Sequence, residues 1–279
     1  MKIGAIVNGF GNPLAEGLAL AAACGFSGVQ IYAFSEEFNP EMSEQQKAFY
    51  KELLSRYQLE VSALCGDVGG RFFECEEANE ENIRRTAAAI DLAVEFGTKV
   101  ITTHIGIIPA EKSDPRYGVM LRALTVCGEY AASRGVTLAI ETGPETAPVL
   151  LQFVEDISRG VGVNLDPANF AMVVRQDPVA AVRLLGKYIV HTHAKDGIRL
   201  REDLTAEEVY APAPRKPGET PREAGYKVVP LGTGAVDFDA YIAALREVGY
   251  DGYLTIENEG EEEPVLAIRD SGIFLKKYL

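Results

Sequence analysis

The chain has 279 residues, with 41 acidic against 27 basic side chains, a formal net charge of −14 and a pI of about 4.8. That balance argues against wrapping a polyanion, because nucleic-acid binding rests on clustered Lys and Arg that neutralise phosphates. Hydrophobic residues make up 47% of the chain, enough for one sizeable core, and no apolar run approaches the roughly 20 residues of a membrane span.

Short apolar runs alternate with longer amphipathic ones in eight pairs. MKIGAIVNGFG enters directly on a strand, 2–8, with no leader pattern, so a cytoplasmic protein is expected. The GFGNP that ends it lacks the Lys-Ser/Thr of a phosphate loop and reads as a turn. Further strands are predicted over 28–34, 61–66, 99–105, 136–141, 161–166, 189–193 and 253–257. The clearest helices fall at 43–57, 80–96, 116–133 and 238–248, each with apolar residues at three-to-four spacing. One punctuation recurs, a glycine just before the next strand, in CGFSGVQIY, FGTKVITTH, RGVTLAIE, RGVGVNLD and VGYDGYLTIE; it fits the left-handed stop of a helix. The acidic runs EEFNPE, ECEEANEE and EGEEEP read as solvated faces and helix starts. Cys24, Cys65, Cys75 and Cys127 form no CxxC pair and read as reduced thiols in or near the core.

Eight strand–helix units with no break in composition predict an α/β fold, a single-domain (β/α)8 TIM barrel over 1–279, with a doubly wound sheet as the structural alternative. After the seventh strand a long loop is expected over about 198–235. Its proline-rich stretch, APAPRKPGETPRE, exceeds a minimal barrel loop. A lid, a subunit contact in a homo-oligomer and a mobile solvated loop all fit it.

Four strand tails carry an acidic or imidazole side chain: Glu141 after VTLAI, Asp166 after VGVNL, His193 in IVHTH and Glu257 after YLTI. A buried ionisable group at a strand end costs several kcal/mol unless it is paired. Parity sharpens the pattern. Leu138 and Ile140 alternate with Ala139 and Glu141, Val163 and Leu165 with Asn164 and Asp166, and Leu254 and Ile256 with Thr255 and Glu257. With a period of two, the large aliphatics face the helices and the polar residues point into the barrel, which brings the carboxylates to its C-terminal mouth. Any one carboxylate alone would read as a salt bridge or helix cap, but four together read as ligands of one divalent ion. Mn²⁺ is the first choice for this oxygen-rich set, ahead of Mg²⁺, Co²⁺ and Zn²⁺. His191 lies one layer deeper than His193 on the same strand face and is expected to hydrogen-bond rather than ligate. His104 ends KVITTH at the mouth, where it could bind a substrate hydroxyl or serve as a structural histidine. Lys195 and Asp196 could contact substrate or pair with each other.

ETGPE at Glu141, NLDPANF at Asp166, HTHAKD at His193, VVPLGTGAVDFDAYIAALREVGYDGYLTIE leading to Glu257 and TTHIG at His104 together resemble the xylose isomerase-like sugar phosphate isomerase/epimerase superfamily. The resemblance spans nearly the whole chain. It implies a TIM barrel with a single divalent ion on Glu141, Asp166, His193 and Glu257, and two metal-bound glutamates, Glu141 and Glu257, that act as an acid–base pair. It further implies that Arg199, six residues past the metal histidine, contacts substrate oxygens. Two departures stand out. Many relatives have His where this chain has Asn169, which argues against a second metal there, and many have Glu where it has Gln30. His104, Asn169, Lys195 and Arg199 make the expected substrate-contact set. Three histidines are too few for the trinuclear zinc cluster of the superfamily's abasic-site endonucleases. The expected activity is isomerisation or epimerisation of a ketose, sugar phosphate or related keto-sugar, by proton transfer through a metal-stabilised enediolate. An inosose-type dehydratase on the same site and a catalytically inactive sugar-binding barrel are the alternatives; neither nucleic acid nor membrane is expected as a partner.

Overall fold

The structure is a computed structural model that describes residues 1–69, 72–210, 225–258 and 262–279. Strands β1 (Lys2–Ile6), β2 (Gly28–Tyr32), β3 (Glu60–Cys65), β4 (Val100–Thr103), β5 (Thr137–Glu141), β6 (Val161–Leu165) and β7 (Ile189–Ala194) run parallel in sequence order. After an inserted ribbon of β8 (Asp196–Arg199) and β9 (Tyr226–Val229), β10 (Tyr253–Ile256) pairs with β7 and β1 and closes the barrel. Around it lie α1 (Leu14–Ala23), α2 (Glu44–Tyr57), α3 (Glu76–Glu95), α4 (Pro115–Ser133), α5 (Ala147–Ile157), α6 (Pro178–Leu185), α8 (Phe238–Glu247) and α9 (Pro264–Leu275), while the short α7 (Ala206–Tyr210) belongs to the insertion. The predicted (β/α)8 barrel is therefore the fold, and the doubly wound sheet is excluded by closure.

Local chemistry explains the element ends. Ser43 starts α2 through a capping box, its hydroxyl accepting from Gln46 N–H while the Gln46 side chain reaches back to Ser43 N–H. Proline at the first or second position begins α4, α5, α6 and α9. The recurring glycines, Gly25, Gly97, Gly135, Gly160 and Gly249, all have φ between 70° and 80°, the left-handed stop read from the sequence. At Gly160 space adds to conformation, because a Cβ would fall 1.8 Å from the Gly128 carbonyl oxygen. Helix α3 begins four residues earlier than its apolar periodicity suggests. Its first turn is acidic, Glu76 and Glu77, which suits the positive end of the helix dipole but carries no apolar signal.

The parity argument holds in the packing. Leu138, Ile140, Val163, Leu165, Leu254 and Ile256 are buried in the core, whereas the alternate residues meet inside the barrel. There Gln30 Nε2 donates to Thr102 Oγ1 (2.9 Å), and Gln30 Oε1 faces the Nε2 atoms of His191 (3.0 Å) and His193 (3.1 Å). Thr255 Oγ1 lies 3.0 Å from His191 Nε2. These pairs satisfy polar groups that would otherwise be costly to bury, and form a floor beneath the mouth.

The long loop expected after the seventh strand is, where described, an ordered insertion: β8 and β9 pair antiparallel from Asp196↔Val229 to Arg199↔Tyr226. The APAPRKPGETPRE segment lies outside the described residues. Asp196 anchors the far side of the ribbon by accepting N–H bonds from Gly197, Gly232, Gly234 and Val236 at 2.9 to 3.1 Å. Lys195, between β7 and β8, reaches the other way, to Asp166 Oδ2 and Glu257 Oε1. No helix among the described residues is long and apolar enough to cross a membrane.

Candidate metal centre

Glu141, Asp166, His193 and Glu257 arrive from four different barrel strands, and each offers one ligand atom within 4.8 Å of all the others. Every one of them is held by a second contact that turns the offered atom inward. Asp166 Oδ1 accepts from Ala168 N–H (2.8 Å) and Asn169 N–H (3.3 Å), leaving Oδ2. Glu141 Oε2 accepts from the Asn164 amide (3.2 Å), leaving Oε1. His193 Nε2 lies 3.1 Å from both Gln30 Oε1 and the Asn164 amide nitrogen, which leaves Nδ1 facing the cluster. Glu257 Oε1 faces Lys195 Nζ at 3.3 Å, leaving Oε2.

Three of the four offered atoms make no aligned hydrogen bond. Asp166 Oδ2, His193 Nδ1 and Glu257 Oε2 are buried without a partner, although Nδ1 lies 2.7 Å from Glu257 Oε2 and 3.3 Å from Glu141 Oε1. Such a spacing without hydrogen-bond alignment is what two ligands on one ion show, because cis ligands at roughly 2.1 Å from a metal stand about 3 Å apart. The residues present therefore fit a divalent ion. Electrostatics agrees. Burial raises Asp166 to about 7, with Lys195 opposing and Glu257 and Glu141 adding to the rise. Glu257 is held well below its ordinary range because Lys195 and His193 outweigh the penalty of burial. Burial works against a charge on His193, but Glu141 and Glu257 overcome it and raise the imidazole well above its usual value. Three buried carboxylates around one point repel one another, and a cation removes that cost.

The other sequence-predicted residues divide. His104 reaches the mouth: its N–H and Nδ1 bind the two oxygens of Asp67 (2.6 and 2.8 Å), and Nε2 points at Glu141 Oε1, 3.7 Å away. Burial lowers the affinity of His104 for a proton, yet Glu141 and Asp67 prevail and bring it to about 10. Lys195 is 4% exposed and bridges Asp166 Oδ2 (3.6 Å) and Glu257 Oε1 (3.3 Å). Asn169, also buried, spends its amide nitrogen on the Thr142 carbonyl (2.9 Å), so it braces the ends of β5 and β6. Arg199 turns elsewhere: its guanidinium donates to the carbonyls of Met172, Val173, Arg201 and Leu204, tying β8 to the π-helical turn Asn169–Val174 that follows Asp166. His191 stays in the floor, and burial, then the His193 charge, drives its proton affinity well below the ordinary value.

Sequence reasoning missed Asp67, Asn164 and Thr142. Asn164 shares the inward parity of Asp166, and Asp67 directly follows the strand predicted over 61–66, so both carried a readable signal. Thr142 did not: its hydroxyl is the β5–β6 tie, accepting from Asp166 N–H (2.9 Å) and reaching the Asp166 carbonyl (3.1 Å).

The model of the family described as xylose isomerase-like TIM barrel matches residues 18–278. The uncharacterized protein MJ1311 of Methanocaldococcus jannaschii is 24% identical over 268 residues, covering 85% of this chain and 76% of that protein. Among solved structures, a xylose isomerase domain protein from Planctomyces limnophilus superposes with a TM-score of 0.79 at 25% identity, over 99% of this chain and 96% of that one. A D-tagatose 3-epimerase-like protein does so with a TM-score of 0.75 at 22% identity, over 100% and 97%. The IOLI protein with a bound zinc atom does so with a TM-score of 0.74 at 20% identity, over 100% and 96%.

Proposed function

The chain belongs to the xylose isomerase-like TIM barrel family, and we propose that it is a divalent-metal-dependent isomerase or epimerase acting on a ketose or related keto-sugar. The observation that carries the reading is the convergence of Glu141, Asp166, His193 and Glu257, three of them with a buried, unpartnered ligand atom. The names of the D-tagatose 3-epimerase-like and zinc-bound IOLI structures are consistent with it.

A divalent ion on these four residues supplies Lewis acidity toward a substrate carbonyl and its neighbouring hydroxyl. The chain's own groups do the rest. Glu141 and Glu257 sit three positions apart around a ring of eight strands and approach the centre from well-separated directions, so one can take the proton from carbon while the other returns one, inverting the centre. If a single glutamate serves both steps, the carbonyl moves instead. His104, fixed through Nδ1 by Asp67, directs Nε2 toward Glu141 Oε1, so that the two can share one substrate hydroxyl lying to the side of both. Lys195 offsets the charge of Asp166 and Glu257.

The test is NMR in deuterated water with the Mn²⁺- or Mg²⁺-loaded protein and a panel of ketoses, their phosphates and inososes. The reading expects deuterium at the carbon next to the carbonyl. Glu141→Gln and Glu257→Gln, which keep an oxygen ligand but remove the basic carboxylate, should retain metal and lose turnover by about 10² to 10⁴. Loss of water in place of exchange would identify a dehydratase, and substantial exchange in both variants with metal bound would remove the glutamates as acid–base groups.

A further inference from the structure

The turn between β5 and α5 carries a carboxyl group that the cluster does not use. Glu145 is 6% exposed, and only one of its oxygens is occupied, Oε1 accepting from Gly143 N–H at 2.9 Å. Two groups crowd the spot where a Cβ on Gly143 would stand, Glu145 Oε2 at 3.1 Å and the Tyr210 hydroxyl at 3.5 Å. Neither oxygen has a hydrogen-bond partner among the described residues. Tyr210 comes from the insertion, on α7, and its ring centroid lies 6.1 Å from that of His104. A nine-tenths buried carboxyl and a phenol, delivered by two different segments, thus border one spot beside the residues that face the cluster. Neither is among the fully buried unpartnered atoms, so both oxygens stay open to a ligand that supplies the missing bond.

We propose that Glu145 and Tyr210 form a hydroxyl-recognition subsite beside the metal centre, which holds an uncharged polyol end of the substrate and disfavours a phosphate there. The assignment of its occupant to the substrate rests on the carbonyl chemistry proposed above. Burial pushes Glu145 up to about 7, against the Gly143 N–H bond and His104, so up to neutral pH it is a carboxylic acid. An acid of this kind both donates and accepts, as a hydroxyl does. Burial, followed by the charges of Glu141 and Asp67, raises Tyr210 well above its ordinary value, with Lys195 opposing, so the phenol stays a donor. The charges of Glu141 and Asp67 disfavour a phosphate dianion at the spot, because Lys195 is already engaged by Asp166 and Glu257.

Xylitol and xylitol 5-phosphate test the subsite, since neither has a carbonyl and neither is turned over. Binding to the Mg²⁺-loaded full chain is followed by NMR titration, with deuterium exchange on ketoses measured in parallel. Xylitol should bind at least tenfold more tightly than its phosphate. Glu145→Gln, a neutral group that still donates and accepts, should keep the xylitol Kd within about threefold, whereas Glu145→Leu and Tyr210→Phe should each weaken it by about tenfold, the worth of one well-made hydrogen bond. Tighter or equal binding of the phosphate, an unchanged Kd in Glu145→Leu, or no xylitol binding to the wild type would each overturn the subsite. Xylitol binding without any deuterium exchange would instead count against the isomerase reading and leave the subsite standing.

Discussion

Replacing Glu145 with Gln should stabilise the protein in a strongly pH-dependent way. The carboxyl is 6% exposed and is raised by burial from 4.5 to about 7. A folded-state value above the unfolded one means that the fold holds the proton more tightly. The stabilising contribution of the proton is therefore complete below about pH 4.5, falls as pH rises, and is lost above about 7. At about 1.4 kcal/mol per pH unit, the interval from 4.5 to about 7 corresponds to about 3 kcal/mol. Glutamine keeps the oxygen that accepts from Gly143 N–H and never ionises. In metal-free protein the variant should match wild type near pH 4.5 and exceed it by about 3 kcal/mol at pH 8, read from guanidinium unfolding at both pH values with the slopes compared. A difference that does not change with pH, or a variant less stable than wild type at pH 8, would refute the burial argument for Glu145.

His193→Ala should abolish metal binding, whereas His191→Ala should keep the metal and lower stability by about 1 to 3 kcal/mol through the lost contacts with Gln30 and Thr255; equal metal loss in both, by elemental analysis, would contradict the two-layer placement. Metal affinity should weaken as pH falls below about 7, where Asp166 takes up a proton in competition with the ion, and titration calorimetry at pH 6 and 8 would show it. Gly234→Ala should destabilise the chain by more than about 1 kcal/mol, because the new Cβ would stand 2.3 Å from Asp196 Oδ1 in the loop that Asp196 organises; an unchanged unfolding midpoint would show that the loop gives way freely.

The barrel was legible because its strands are short, aliphatic and closed off by glycines that the left-handed backbone requires, and the period-two alternation put Glu141, Asp166 and Glu257 on the inward face. Parity also separated His193 from His191 by one layer. What stayed hidden depends on chain segments far apart in sequence. Asp196 and Arg199 sit near His193 in the sequence, yet one organises the loop at Gly232 to Val236 and the other clamps the ribbon onto the turn after Asp166. The β8–β9 ribbon itself is two four-residue strands separated by 26 residues, 200–225, too short and too distant for alternation to signal. Tyr210 reaches Gly143 only through that insertion, and nothing in its local sequence marks it.

The central claim is that one divalent ion sits at the point shared by Glu141, Asp166, His193 and Glu257. A crystal of the Mn²⁺-loaded protein, measured above and below the manganese absorption edge, tests it directly. The account predicts a single anomalous peak roughly 2.0 to 2.4 Å from one atom of each of the four side chains, His193 contributing Nδ1. A peak elsewhere, a second ion in the mouth, or coordination by His191 or by His193 Nε2 would contradict it.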